Sequence, residues 1–459
     1  MTHMPMTRAP MPRDLTRRSA LTRRSALAAA AGIGVSISFL GRQAFAASDG
    51  DLSRRKLVVI VCRGAMDGLS VSPPVGDPNY HALRGEIAIA GFGQPGGALP
   101  LDQTFGLHPK LETVHALALK GQARIAPAVA TPDRARSHFE AQDVLESGSS
   151  VVYGASSGWL NRSMEALGPR KIEAISVGAQ APLILRGRVQ AASWSPGGYK
   201  DRDSRLPGIL TDLYAHDPLL GPALASGLDT ETMAKAVTAA EAAMAPKPVL
   251  TPASMTAGQP APDAMAMTGK PGGGDAAARA YAQAGRAGSE AARKLGTTLA
   301  GFMTQPNGPQ IAAISIDGFD THANQGNAEG QLANRLAYLD AVVDGLSTGL
   351  GPEWNNTVVV AATEFGRTAR INGTKGTDHG TASTALVLGG GLKRGGIIGD
   401  WPTLQQAKLF ENRDTAPTMD MRGPFKGVLA EQLGVSRRAL DTVVFPDSAG
   451  VAPAVGIVA

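Results

Sequence analysis

Six short apolar runs, at 56–62, 123–129, 172–177, 310–316, 357–362 and 385–388, punctuate this chain, with stretches of helical periodicity between them. A strand with one wet face alternates apolar and polar residues. A strand covered on both faces reads instead as an unbroken run rich in Val, Ile and Ala. Helical spacing occupies 110–119, 137–146, 276–303 and 331–346, the last holding the amphipathic stretch LANRLAYLDAVVDGL. Strands alternating with helices predict an α/β fold around a mostly parallel sheet of the doubly wound kind.

The residues able to do chemistry gather just past those runs. Asp67 follows KLVVIVCRG; Asp317, Asp320 and His322 follow QIAAISI; Glu364 and Arg367 follow NTVVVAA; Asp378 and His379 precede TALVLGGG. Residues beyond the carboxyl ends of strands in an open α/β sheet converge on one crevice. Carboxylates and imidazoles brought together there suit a hard or borderline divalent cation. The candidate ligands are therefore Asp67, Asp320, His322, Glu364, Asp378 and His379.

Each has a competing role. Asp320 and His322 lie two positions apart, so in extended backbone they leave on one side; Asp320 could equally accept local N–H bonds in a turn. Asp317, nearer the strand, is suited to ordering the loop. Asp378 and His379 are adjacent and diverge, so His379 is the better ligand and Asp378 either ligates or orients an imidazole from behind. Glu364 and Arg367 could serve a metal and an anion respectively, or simply pair with each other. Ser137-His138-Phe139-Glu140 reads as a capping box worth ~1 kcal/mol. Its Ser137 hydroxyl could also be a nucleophile favoured by a helix N-terminus, with Arg134 and Arg136 beside it. His108, just before Pro109, is either a loop histidine or a ligand. HExxH, CxxC, GxSxG and dinucleotide fingerprints are absent, and Gly389–391 lacks the Lys-Ser/Thr of a P-loop.

The N-terminus carries Thr-Arg-Arg-Ser-Ala-Leu twice, at 16–21 and 22–27, then an apolar stretch over 26–40 and Ala44-Phe45-Ala46. Basic region, short apolar core and small-x-small site describe a cleavable signal peptide over 1–46, and the paired arginines point to twin-arginine export. The core is shorter than the ~20 residues of a membrane span, so no stable membrane insertion is expected after cleavage. Seven of the 44 Lys and Arg and one of the 39 Asp and Glu lie in this leader, which leaves the remainder at −1. Nucleic-acid binding thus loses its compositional support. The single cysteine, Cys62, sits in an apolar run and reads as a small buried residue. About 410 residues remain, more than one core usually holds, which suggests one large domain, 47–459, with insertions. The Pro-, Gly- and Met-rich stretch 245–275 reads as a flexible insertion.

RGAMDGL at 63–69, FGLHP at 105–109, RSHFEAQ at 136–142, GFDTHANQ at 318–325, EFGRT at 364–368, TDHG at 377–380 and GDWP at 399–402 resemble the bacterial family called domain of unknown function 1501. That family is grouped with the alkaline phosphatase superfamily of phosphatases, sulfatases and phosphomutases. The resemblance implies a three-layer α/β/α sandwich and two cations clamping an in-line displacement at phosphorus or sulfur. By position Asp67 resembles the first-strand ligand, Ser137 the nucleophile, Asp320 with His322 one ligand group, Glu364 half of a second, and His379 the late histidine. Where the superfamily often has Asp-His, this chain has Glu364-Phe365, so the second site lacks an imidazole.

Two expectations follow. One is an exported hydrolase of phosphate or sulfate esters that uses zinc, manganese or calcium. Its small anionic substrate would be attacked by Ser137, with Arg63, Arg136 or Arg367 neutralising the oxyanion. The other is a non-catalytic periplasmic or cell-surface protein that holds an anion or an envelope partner in the same pocket.

Overall fold

The computed structural model describes residues 54–168, 172–177, 182–194, scattered residues between 210 and 237, and 274–459. The leader expected over 1–46 lies outside these residues, as does the 245–275 stretch except for its last two residues, where a helix begins. The strands of the main sheet are β1 (Lys56–Cys62), β2 (Ala123–Ala130), β3 (Ala174–Val177), β4 (Ala192–Trp194), β5 (Ile311–Ile316), β6 (Thr357–Ala362), β7 (Ser383–Leu388), β8 (Gly396–Ile397) and β9 (Met419–Asp420). Their order is β8-β2-β7-β6-β1-β5-β3-β4, with β9 also pairing with β2. Every pairing is parallel except those of β7, which runs against both β2 and β6. The sheet is mixed and mostly parallel.

All seven residues of β1 are buried, and they face alternately to two apolar layers. Val58, Ile60 and Cys62 pack with α1 (Glu112–Leu119), α4 (Gly274–Met303) and α5 (Gln331–Leu350). Leu57, Val59 and Val61 pack with α2 (His138–Ser147), α3 (Trp159–Ala166) and α6 (Arg422–Leu433). Helices on both faces of one sheet make the three-layer α/β/α sandwich, and the period of two along the strand divides the core. Trp159 anchors the second layer: it stacks on Phe425 at 4.9 Å between centroids and donates its indole N–H to Leu145 O at 3.1 Å. Among the described residues no helix is long and apolar enough to cross a membrane.

His108 is a buried loop residue. Its Nε2 lies 2.9 Å from Asn327 O, and Nδ1 accepts from Lys110 N at 3.1 Å, which fixes a neutral ring. Burial first, then the Lys110 charge, lowers its pKa from 6.5 to about 4, against the pull of Asn327 O. The unfolded chain therefore takes up this proton first as pH falls. The stabilisation is complete above the unfolded value and is lost between it and the folded one, about 3 kcal/mol in all. Urea midpoints measured at pH ~7 and ~4.5 should diverge in the native protein and by clearly less in His108→Gln.

Candidate metal centre

Parallel pairing of β1 with β5 and β6 aligns Cys62 with Ile316 and Val61 with Ala362, so Arg63, Asp317 and Thr363 leave the sheet side by side. β7 runs the other way and begins at that edge; β2, parallel to β6 through β7, ends there. Five loops converge. Two glycines let their backbones touch. A Cβ on Gly64, whose φ is +110°, would lie 2.6 Å from Asp320 N. One on Gly376 would lie 2.4 Å from the His322 carbonyl carbon.

Arg367 ties these loops from below. The fully buried guanidinium donates to Ala65 O (2.9 Å), Thr377 O (3.0 Å), Gly64 O (2.9 Å) and Phe319 O (3.2 Å), and it pairs with Asp320. Burial opposes the Asp320 charge, but the Arg367 hydrogen bond and charge outweigh it and hold the carboxyl below its usual range.

Three imidazoles surround Asp320. His138 Nε2 lies 3.4 Å from Asp320 Oδ2; His322 Nε2 and His379 Nε2 lie 3.2 and 3.4 Å from Oδ1. The two latter nitrogens are 3.0 Å apart. Ligand atoms of His138, Asp320 and His379 fall within 4.8 Å of one another. Each ring is anchored through its other nitrogen to a pure acceptor: His138 Nδ1 to Glu364 Oε1 (2.8 Å), His322 Nδ1 to Asp378 Oδ1 (3.2 Å), His379 Nδ1 to Arg136 O (2.9 Å). A carboxylate or carbonyl oxygen can only accept, so each Nδ1 carries a proton, and a ring in its neutral form turns a lone pair at Nε2 toward Asp320. His138 Nε2 is buried without a hydrogen-bond partner. Convergent lone pairs beside a carboxylate repel one another unless a cation or extra protons lie between them. An acceptor behind each ligating imidazole is the usual outer layer of a metal site.

The acceptors are themselves set. Buried Glu364 receives Gly64 N (2.9 Å) and Ala65 N (3.1 Å) at Oε1 and Thr363 Oγ1 (2.8 Å) at Oε2. Burial disfavours its charge, but the His138 bond and these donors together keep its pKa below the ordinary value. The same bond to Glu364, against burial, raises the His138 pKa. Burial first, then the charges of Arg367 and His138, lowers that of His379. Arg136 adopts φ +58°, which turns its carbonyl toward His379 while its side chain pairs with Glu411 (2.6 Å) and Asp414 (2.9 Å).

A buried amide joins two ligand-bearing loops. Gln325 Oε1 accepts from Thr321 Oγ1 (2.9 Å) and Thr377 Oγ1 (2.8 Å), while Nε2 donates to Asp67 Oδ2 (2.7 Å) and Ser70 Oγ (3.2 Å). All four hydrogen-bonding capacities of the amide are used.

Several sequence expectations change here. Asp67 is not placed to ligate. It is fully buried, caps the short helix Gly68–Val71 through Leu69 N (3.3 Å), accepts from Ser70 Oγ (2.8 Å) and is paired with buried Arg84. Glu364 and Asp378 stand behind His138 and His322 rather than among the convergent atoms. Arg367 is fully buried and committed to the contacts above, Arg136 pairs with Glu411 and Asp414, and Arg63 pairs with Glu146 at 2.6 Å, so each of the three guanidiniums is engaged within the fold. Ser137 occupies the N-cap position, but its hydroxyl makes no cap bond, so the capping box does not form. Asp317 is exposed and outside the cluster. The imidazole missing beside Glu364 is His138, contributed by α2. The signal for it is its place at the start of the helix that follows β2, beyond a strand end like the others.

The sequence matches no curated protein. Among solved structures, the zinc complex of the C-terminal periplasmic domain of EcEptC from Escherichia coli is 9% identical over 76% of this chain and 77% of that one, with a TM-score of 0.33. Another crystal structure of that periplasmic domain is 11% identical over 89% of this chain and 91% of that one, TM-score 0.32. Ps i-CgsB in complex with k-i-k-neocarrahexaose is 9% identical over 86% of this chain and 76% of that one, TM-score 0.34. Overlaps of this size carry nothing about activity, and the sandwich stands on its own strand order. The family model described as protein of unknown function (DUF1501) matches residues 113–444, well over half the chain, and to that family this protein belongs.

Proposed function

We propose that this is an exported enzyme acting on phosphate or sulfate esters through one divalent cation held by His138, His322, His379 and Asp320. The observation that carries the reading is the convergence of three imidazole Nε2 atoms on one carboxylate, each ring fixed through Nδ1. Three nitrogens and one oxygen suit zinc; calcium prefers an all-oxygen shell. When bound, the cation supplies Lewis-acid polarisation of an ester oxygen. Glu364, Asp378 and Arg136 O hold the ring orientations, and Arg367 fixes Asp320. Ser137, beside His138 at the start of a ten-residue helix, has a hydroxyl not spent on capping and is the proposed nucleophile. The twin-arginine leader supports a periplasmic or extracellular location.

A second reading, a non-catalytic binding protein, is favoured by one observation: Arg63, Arg136 and Arg367 are all engaged in ion pairs. Turnover separates the two. Zinc-loaded protein should hydrolyse 4-nitrophenyl phosphate or sulfate. Ser137→Ala should keep its zinc while losing at least ~10²-fold in rate. No ester hydrolysis by zinc-loaded native protein would leave the binding reading, and unchanged hydrolysis in Ser137→Ala would remove Ser137 as nucleophile.

A further inference from the structure

Resting on the metal-centre reading, we propose that the cleft beside it is an anion subsite, so that the ligand carries a second phosphate, sulfate or carboxylate group. The cleft holds about 220 Å³, and Thr368, Arg370, Asn372, Asp378, Asn412 and Arg413 stand around it. Asp378 is a wall shared with the metal centre: its Oδ1 takes both His322 Nδ1 (3.2 Å) and Asn372 Nδ2 (3.0 Å). A group seated in the cleft is therefore one side chain away from the ring of His322.

The lining of the cleft holds two guanidiniums against one carboxylate. Arg413 is fixed by a 2.7 Å bond to His379 O and lies 3.5 Å from Asp414 Oδ1. Arg370 is exposed and reaches only Gln406 Oε1, at 3.5 Å; among the described residues it pairs with no carboxylate. It thus differs from Arg63, Arg136 and Arg367, each of which is paired with a carboxylate. A guanidinium presents a planar fork of donors matched to two oxygens of an oxyanion. The side-chain amide of Asn412, also in the lining, adds a further donor. Charge recognition then comes from the loops around Arg370 and Arg413, not from the three arginines nearest the sheet.

The test separates the cleft from the cation. Inorganic phosphate is titrated calorimetrically into chelator-stripped protein, where the cleft acts alone. Native protein should bind it, and Arg370→Ala, changed at an exposed position, should bind it about tenfold more weakly or worse. No binding by stripped native protein, or equal affinity in the variant, overturns the subsite. Zinc-loaded protein is then titrated with methylphosphonate and with alkane bisphosphonates of increasing length. A bisphosphonate advantage of about tenfold or more, lost in Arg370→Ala while methylphosphonate affinity is kept, marks one ligand spanning both places. Phosphate binding to the cleft with no advantage at any length would mean a free inorganic anion and overturn the two-anion ligand. Failure to take up zinc would sink the metal centre and leave the phosphate titration to decide the cleft.

Discussion

Alanine at position 138 is expected to weaken zinc binding by more than ~10²-fold without unfolding the protein. The imidazole supplies one of the convergent nitrogens, and its side chain is 25% exposed, so its loss opens no large void in the core. Glu364→Gln tests the layer behind it. The carboxylate that fixes the Nδ1 proton is replaced by an amide that can turn a donor toward the same nitrogen, and affinity should fall by ~10–100-fold. Competition with a chromophoric zinc chelator measures both. Zinc held by His138→Ala as tightly as by the native protein would mean the ion sits elsewhere.

Arg367→Met should be the most destabilising single change near the site. It leaves the carbonyls of Gly64, Ala65, Phe319 and Thr377 without their buried donor and Asp320 without its counter-charge. The Asp320 side chain is 42% exposed, so most of the cost comes from the buried carbonyls, ~1–3 kcal/mol for each one left without a donor. Arg367→Lys should recover little, because an ammonium cannot span acceptors spread over three loops. Urea unfolding of metal-free protein is the measure; a variant within ~1 kcal/mol of native would contradict the role of Arg367 as the tie between loops.

The sheet was legible because its strands are buried on both faces. The runs at 56–62 and 357–362 coincide with β1 and β6, and others differ by a residue or two at their ends. The direction of β7 was not legible, since an apolar run reads alike in either sense. Helix α6 is not legible in the sequence because Gly423, Pro424 and Gly427 punctuate it; Pro424 lies in the first turn, where no intrahelical N–H bond is lost. At the site, position beside a strand end marks Asp320, His322 and His379 for the cluster, but the same rule also selects Asp67. Its commitment to Arg84, seventeen positions along the chain, is a tertiary fact. His138 lies inside Ser-x-x-Glu, a pattern that helix capping accounts for without a ligand role. The orienting parts played by Glu364, Asp378 and the Arg136 carbonyl depend on which atom faces which ring, and spacing along a chain does not encode that.

Zinc K-edge X-ray absorption on purified, zinc-replete protein tests the metal centre most directly. A first shell of mixed nitrogen and oxygen at ~2.0–2.1 Å with the outer scattering of about three imidazoles is expected, and it should diminish by one ring in His138→Ala. An oxygen-only shell, or no zinc retained after exhaustive dialysis, would contradict the centre assigned to His138, His322, His379 and Asp320.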